Sequence, residues 1–290
     1  MTSVTAPIEA TALRGADGQP KEVPGGVVWA LRDSWNEATR HLRAVPRSPE
    51  LLLFSTLQPI MFVLLFNYVF GGAIEVPGYS SYTQYLIPGV FAQTVVFGSA
   101  FTGIGIAEDL QKGFIDRLRS LPISQSAVLV GRTMSDMVRN VFTFLVMLGV
   151  SFAIGFRFEG GLVRGLLASA LLLAFSYSFS WIQALIGLSV SSVEAANSAG
   201  FIWMFPLTFV SNALVPTVGM PELLRTFADW NPVSAVTAAV RTLWGDPNAS
   251  LGSQSWSMQH PVVMALAWSI GLMVVCMPLA ARLFRRRTTD

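Results

Sequence analysis

Long apolar runs alternate with short polar segments over most of this 290-residue chain. A helix that crosses the hydrocarbon core of a bilayer needs about 20 mostly apolar residues. The runs of about this length predict an all-α, multi-pass membrane protein with six transmembrane helices. The predicted spans cover residues 51–70, 84–106, 137–156, 162–190, 197–219 and 261–281.

Composition supports this interpretation. The mean hydropathy is +0.55 and only 12% of the residues are charged, which is outside the range of soluble domains. The ends of the fourth and fifth spans stay open, because the fourth is long enough to tilt and Pro206 interrupts the fifth.

Basic residues determine the orientation, because positively charged loops are retained on the cytoplasmic side. If the N-terminus is inside, the cytoplasmic group includes Arg139 and all other Lys and Arg residues except Arg157, Arg164, Arg225 and Arg241. We therefore predict a protein of the cytoplasmic membrane with both termini inside. The net charge of +2 and the basic tail at residues 286–290 are explained by topology and anionic headgroups, without a nucleic-acid partner.

The chain before the first span divides into two parts. Residues 1–25 are rich in Thr, Ala, Pro and Gly, which predicts a disordered tail without a cleavable signal peptide. In the segment 26–48, apolar residues recur at spacings of three and four, which predicts an amphipathic helix in the cytoplasmic interface. A soluble helix packed on a neighbour is the alternative. Residues 49–285 then form the six-helix transmembrane domain.

A charged segment with the sequence EDLQKGFIDRLRSLPIS lies between the second and third spans, at residues 108–124. It predicts an amphipathic helix that Pro122 ends, with Glu108 and Lys112 spaced for an ion pair and Gly113 in the middle for a bend or a close approach. One face of this helix is apolar: Leu110, Phe114, Leu118 and Leu121. The charged face indicates a docking surface for a polar partner; a solvated loop is the alternative.

The segment between the fifth and sixth spans is too long and too apolar for a simple loop. Pro221 can start a short helix, Asn231-Pro232 breaks it, and a second short helix can follow. We expect both helices to lie on the outer leaflet or dip into it, although plain packing outside the membrane fits nearly as well.

Motifs of enzymes are absent from the sequence. The chain has no G-x-x-x-x-G-K-[ST], HExxH, G-x-S-x-G or Cys/His cluster, and His41 and His260 are predicted on opposite sides of the membrane. We therefore expect neither catalysis nor a bound metal or cofactor. The single cysteine, Cys276, is expected to serve packing.

Polar residues within the spans point to a transport path. A proton- or sodium-driven transporter needs ionisable residues near mid-membrane, and the spans as drawn have none there. Neutral polar and aromatic side chains can line a path for a bulky amphipathic molecule, although many also serve helix packing. The candidates are Gln58, Gln93, Thr94, Phe97, Phe101, Ser178, Trp181, Gln183 and Trp203.

Two motifs carry a family resemblance. The run E-D-L-x-K-G-x-x-D-R-L-R-S-L-P-I-S, followed by V-L-V-G-R-x-x-S-D at residues 128–136, resembles the cytoplasmic loop of ABC-2-type exporter permeases, and more closely those of the daunorubicin/doxorubicin-resistance type. Residues 215–241 are similar to the segment before the last span of that family. The resemblance covers roughly residues 27–285.

The resemblance implies an assembly of two permease subunits, identical or related, with two cytosolic ATP-binding subunits that bind ATP and Mg. By the same resemblance, residues 28–45 form the interfacial elbow helix. Residues 108–122, with a second contact in the loop 191–197, would dock on the ATPase. The implied coupling residues are Glu108, Asp109, Lys112, Gly113, Asp116, Arg117, Leu118, Pro122 and Glu194.

The implied activity is export of a hydrophobic or amphipathic small molecule, such as an antibiotic or a lipid-like compound. Export of a polysaccharide or lipid glycan is the alternative within the family. An ion-coupled secondary transporter, a channel and a membrane anchor for a soluble protein are alternatives from other classes. The direction of transport rests on the resemblance alone, and the compound is open.

The Leu118→Asp substitution tests the docking assignment. Because Leu118 lies on the apolar face, the new charge should detach the segment from the membrane domain and reduce transport, while membrane insertion continues. Transport and membrane content would be measured in parallel. Unchanged transport would remove the assignment.

Overall fold

The computed structural model describes residues 49–70, 82–113, 125–246 and 255–289, and all of its regular structure is helical. Nine α-helices follow one another in these ranges: α1 Pro49–Leu65, α2 Tyr82–Gln111, α3 Gln125–Ala153, α4 Leu162–Ser189, α5 Val193–Phe209, α6 Glu222–Trp230, α7 Pro232–Trp244, α8 Trp256–Gln259 and α9 Pro261–Thr289. A π-helix, Phe66–Phe70, extends α1, and a 3-10 helix occupies Thr217–Gly219. The tail 1–25 and the amphipathic segment 26–48 lie outside the described residues.

Four helices in the described ranges are long and apolar enough to cross a membrane: α2, Leu129–Ala153 of α3, α4, and Pro261–Arg287 of α9. A shorter apolar helix covers Thr56–Val69. The all-helical fold is thus confirmed for the described residues, while the six-span topology and the orientation stay predictions.

Two predicted spans have the wrong bounds. The third helix begins at Gln125 and its candidate span at Leu129, not at residue 137, and Arg132 in the added part pairs with Asp109 of α2. The fifth ends at Phe209 and not at residue 219. Pro206 lies inside α5 without interrupting it.

Helix α2 lies at the centre of the bundle and packs most extensively on α4. The two helices run parallel, since Ser176 donates to the Val95 carbonyl oxygen at 3.2 Å and Gly187 meets Gly103 further along both helices. A Cβ added to Gly187 would lie 2.3 Å from the Gly103 carbonyl oxygen. Glycine therefore permits this crossing, as small residues do in membrane helix pairs.

The backbone leaves helical geometry after Phe209 while it is still buried. Buried carbonyl groups need hydrogen-bond donors, and Arg241 of α7 supplies them. Its guanidinium donates to the carbonyl oxygens of Tyr85 at 2.9 Å, Asn212 at 3.0 Å and Ala213 at 3.2 Å. Arg241 was placed in an outer segment by the charge count, but it is fully buried and lies 3.8 Å from the centroid of the Tyr85 ring.

Further side chains complete these contacts. Asn231 donates to the carbonyl oxygens of Leu207 and Val210 at 2.7 and 2.8 Å, and it accepts from the Val233 N–H to cap α7. The Ser234 hydroxyl accepts from the Asn212 N–H at 2.9 Å. We call Tyr85, Asn231, Ser234 and Arg241 the backbone clamp.

The two short helices predicted between the last spans are confirmed, with the break at Asn231-Pro232. Their environments differ. Helix α6 exposes an apolar face that includes Leu223 and Phe227, which suits a helix lying on a membrane surface. Helix α7 is buried among α2, α4 and α9, so it belongs to the bundle and not to a surface.

A glycine pair tests the α2–α4 crossing. Gly187→Ala should lower the thermal midpoint of the detergent-purified protein, because overpacking of a close contact costs about 1–3 kcal/mol. Gly271→Ala is the matched control, since nothing lies within 4 Å of its added Cβ. It should leave the midpoint unchanged or raise it slightly. Equal midpoints for both variants would contradict the close approach.

Candidate functional site

A cavity of about 310 Å³ lies between α1, α2, α3 and α5. Five of the predicted path residues line it: Gln58, Gln93, Thr94, Phe97 and Phe101. The cavity combines a largely apolar wall with a few polar groups, as small-molecule sites do. It is the site in the described part of the chain that best fits a transported molecule.

The other four predicted path residues pack elsewhere. Ser178 is buried and donates to its own helix at the Phe175 carbonyl oxygen. Gln183 is buried against Met204, and Trp181 and Trp203 pack in helix interfaces beside Tyr177 and Phe179. None of these four lines the cavity, because their face of α4 and α5 turns to neighbouring helices.

Helix α5 supplies an aromatic side of the cavity that the sequence interpretation missed. Phe201, Phe205 and Phe209 recur every four residues, so they share one face of the helix. Neighbouring rings lie 5.8 and 5.9 Å apart, and Phe97 of α2 contacts both Phe201 and Phe205. The four-residue spacing was the available signal.

Helix α3 supplies the polar side, with Arg139, Asn140 and Thr143 in the cavity wall. The expectation that no ionisable residue lies near mid-membrane is therefore wrong. Arg139 was counted as cytoplasmic, yet it lies ten residues into the candidate span that begins at Leu129. The polar spacing of three and four residues along an otherwise apolar helix was the signal for this face.

Ion pairs connect Arg139 to the C-terminal end of α2, which lies away from the cavity. Arg139 donates to Asp136 at 3.0 Å, Arg132 contacts the other oxygen of Asp136 at 3.5 Å, and Arg132 donates to Asp109 at 3.1 Å. We call Asp109, Arg132, Asp136 and Arg139 the charge ladder. The charges of its two acids and two arginines balance. Burial of these four side chains in a membrane domain is therefore tolerated only when all four are present, because loss of one would leave an unpaired charge.

Close packing holds the ladder in place. Gly105 faces the Arg132 guanidinium so tightly that an added Cβ would lie 1.6 Å from Nη2. The Arg139 guanidinium lies over the Phe101 ring, 4.4 Å from its centroid. These contacts orient Arg139 along the cavity wall.

The predicted docking helix does not begin at Glu108. Helix α2 continues through Glu108 to Gln111, and Gly113 adopts a φ of 62° that ends the helix. Gly113 is therefore a helix terminus and not a mid-helix bend. Residues 114–124 lie outside the described residues, and with them Asp116, Arg117, Leu118 and Pro122.

The remaining predicted coupling residues surround this terminus. The expected ion pair between Lys112 and Glu108 is present, and its hydrogen bond raises the pKa of the Lys112 ammonium. Glu194 is exposed on the first turn of α5, which Ser192 caps, so residues 193–197 are helical and not a loop. Asp109 belongs to the charge ladder.

Comparisons with known proteins agree with one another. The ABC-2 type transporter family matches residues 36–243. The daunorubicin resistance ABC transporter permease protein DrrB1 of Streptomyces coeruleorubidus is 34% identical over 86% of this chain and 84% of that protein. The probable doxorubicin resistance ABC transporter permease protein DrrC of Mycobacterium tuberculosis is 28% identical over 80% of both. The putative transport permease ycf38 of Cyanophora paradoxa is 25% identical over 68% of this chain and 69% of its own.

Substitution of two neighbouring acids tests the charge ladder. Asp109→Asn should lower the thermal midpoint, because Arg132 loses a partner at a partly buried site. In a double-mutant cycle with Arg132→Gln, the coupling energy should be about 1 kcal/mol. Glu108→Gln is the matched control, since its partner Lys112 is exposed. Equal midpoints for Asp109→Asn and Glu108→Gln would contradict a structural role for the ladder.

Proposed function

Because the chain belongs to the ABC-2 type transporter family, we propose that it is the membrane subunit of an ATP-driven exporter of hydrophobic or amphipathic small molecules. The family resemblance inferred from the two sequence motifs is confirmed. The chain is a multi-pass protein of the cytoplasmic membrane, and its family consists of transporter membrane subunits that are not themselves catalytic.

The cavity between α1, α2, α3 and α5 is the observation that carries the proposal about substrate. Six phenylalanine rings and a few polar groups surround a volume of about 310 Å³. This size and composition suit a small amphipathic molecule better than a polysaccharide, which needs many hydrogen-bonding groups along an open path. The relatives named for daunorubicin and doxorubicin resistance also support a small organic molecule over a polysaccharide.

The energy source in this proposal is a separate subunit. Two cytosolic ATPases bind ATP and Mg and dock on the segment 108–122 and on Glu194 of two permease subunits. When ATP binding brings the ATPases together, the docking segments move with them, and the permease halves open a path towards the outer leaflet. The charge ladder supports this mechanism, because it extends from Asp109, within the docking segment, to Arg139 in the cavity wall.

Charged residues within α3 are the observation that would favour an ion-coupled transporter instead. Asp136, however, is already paired with two arginines, Arg132 and Arg139. A coupling carboxylate must take up and release its ion during each cycle. The pairing of Asp136 therefore favours a structural role.

Purification of the tagged chain from its native host in mild detergent tests the partner. We expect an ATP-binding protein in near-equal amount with ATPase activity. Glu194→Lys should reduce its recovery by reversing a charge at the proposed contact. Glu222→Lys is the matched control, because it replaces an exposed acid in the first turn of α6, near the opposite end of the bundle.

The result also separates the alternatives. A chain that is repeatedly intact, pure and alone would contradict the ATP-driven assembly and direct attention to ion gradients. Equal recovery with both glutamate variants would remove Glu194 from the docking surface.

A further inference from the structure

The cavity wall separates into an apolar and a polar part. Phe97, Phe201 and Phe205 form a contiguous aromatic group, with ring centroids 5.4 to 6.0 Å apart. Offset and edge contacts with such rings favour a flat aromatic molecule over a flexible chain, because the rings offer extended faces and edges. The apolar part therefore selects for ring systems.

Gln93 lies in the polar part with an unsatisfied donor. Only 5% of this residue is exposed, and within the described part of the chain its Nε2 has no hydrogen-bond partner. A buried amide donor without an acceptor is unfavourable, so native proteins rarely retain one without a reason. A bound molecule with an acceptor oxygen would satisfy it.

Arg139 adds a positive charge to the same cavity. Among the described lining residues it is the only charged one, since its partner Asp136 does not line the cavity. Arg139 uses Nη2 for Asp136, and its side chain retains 19% exposure. The cavity thus presents a cation and an amide donor, with no carboxylate among its described lining residues.

From these groups we propose that the cavity binds a flat aromatic organic anion, with its rings against the phenylalanines and its carboxylate towards Gln93 and Arg139. A ligand carboxylate can accept hydrogen bonds from both residues. An organic cation would face the Arg139 guanidinium, which already covers the Phe101 ring, while the balancing Asp136 carboxylate lies outside the described cavity lining. This inference deepens the proposed function, on which it rests, by naming the substrate class.

Binding of three matched probes to the full chain in lipid nanodiscs tests the proposal. Anthracene-9-carboxylate is the anion, 9-anthracenemethanol is neutral, and 9-(aminomethyl)anthracene is the cation. Fluorescence titration, corrected with empty nanodiscs, should show that the anion binds at least about tenfold more tightly than the cation.

Two variants assign this preference to residues. Arg139→Gln should abolish the preference for the anion over the alcohol. Gln93→Met keeps the length of the side chain and removes the hydrogen-bond donor. It should therefore weaken binding of the anion and of the alcohol several-fold and leave binding of the cation unchanged. Arg164→Gln is the control, because Arg164 is exposed on the first turn of α4 and lies outside the cavity lining. All three affinities should be unchanged in it.

Several outcomes would overturn the proposal: a cation that binds as tightly as the anion, the absence of saturable binding for all three probes, or wild-type affinities in both cavity variants. If the Arg139→Gln protein is not monodisperse by size-exclusion chromatography, its affinities are set aside. The proposal is then tested by the affinities of the three probes for the wild-type protein and for Gln93→Met. Because binding is measured on the chain without an ATPase, its outcome is independent of the partner test, and either hypothesis can fail alone.

Discussion

The buried break after α5 is the constraint on which the rest of the fold depends. No water is available inside a membrane domain to satisfy the carbonyl groups that the helix releases there. Arg241 and Asn231 donate to four of these carbonyl oxygens, and Arg241 also reaches Tyr85 of α2. The clamp therefore joins α2, the end of α5 and α7 in one hydrogen-bonded unit. It also explains how α7, a short helix with a buried arginine, is stable within the bundle.

The clamp and the charge ladder hold opposite ends of α2. Arg241 contacts α2 at Tyr85, in its first turns, whereas Arg132 contacts it at Asp109, near its last residue. The glycine crossing with α4 lies between these two contacts. Helix α2 is thereby tied to three neighbours by three different interactions: hydrogen bonds, ion pairs and close backbone packing. The cavity lies along this central helix, so its shape depends on how α3 and α5 are held against α2.

The cavity joins an apolar wall to one end of the ladder. Phenylalanines from α1, α2 and α5 supply dispersion and ring contacts, while Arg139 and Gln93 supply directed donors. Arg139 belongs to both the cavity and the ladder, so a molecule that pairs with Arg139 would share this guanidinium with Asp136. Under the proposed function, these four adjacent charged side chains would connect a substrate in the cavity with the docking segment at the end of α2, as a contiguous physical route for coupling.

The sequence by itself determined the bilayer as solvent, the helical class, the two short helices with their break at Asn231-Pro232, and the motifs that mark the family. These features depend on residues that are consecutive or a few positions apart. Only the tertiary structure decided that α5 ends at Phe209, that Gln93 and Phe97 line the cavity while Gln183 and Trp203 do not, and that Arg139 faces it. The physical reason is that a buried polar group is stable only with a partner, and that partner is often remote in sequence. Arg241 and Tyr85, separated by 156 positions, show this dependence most directly.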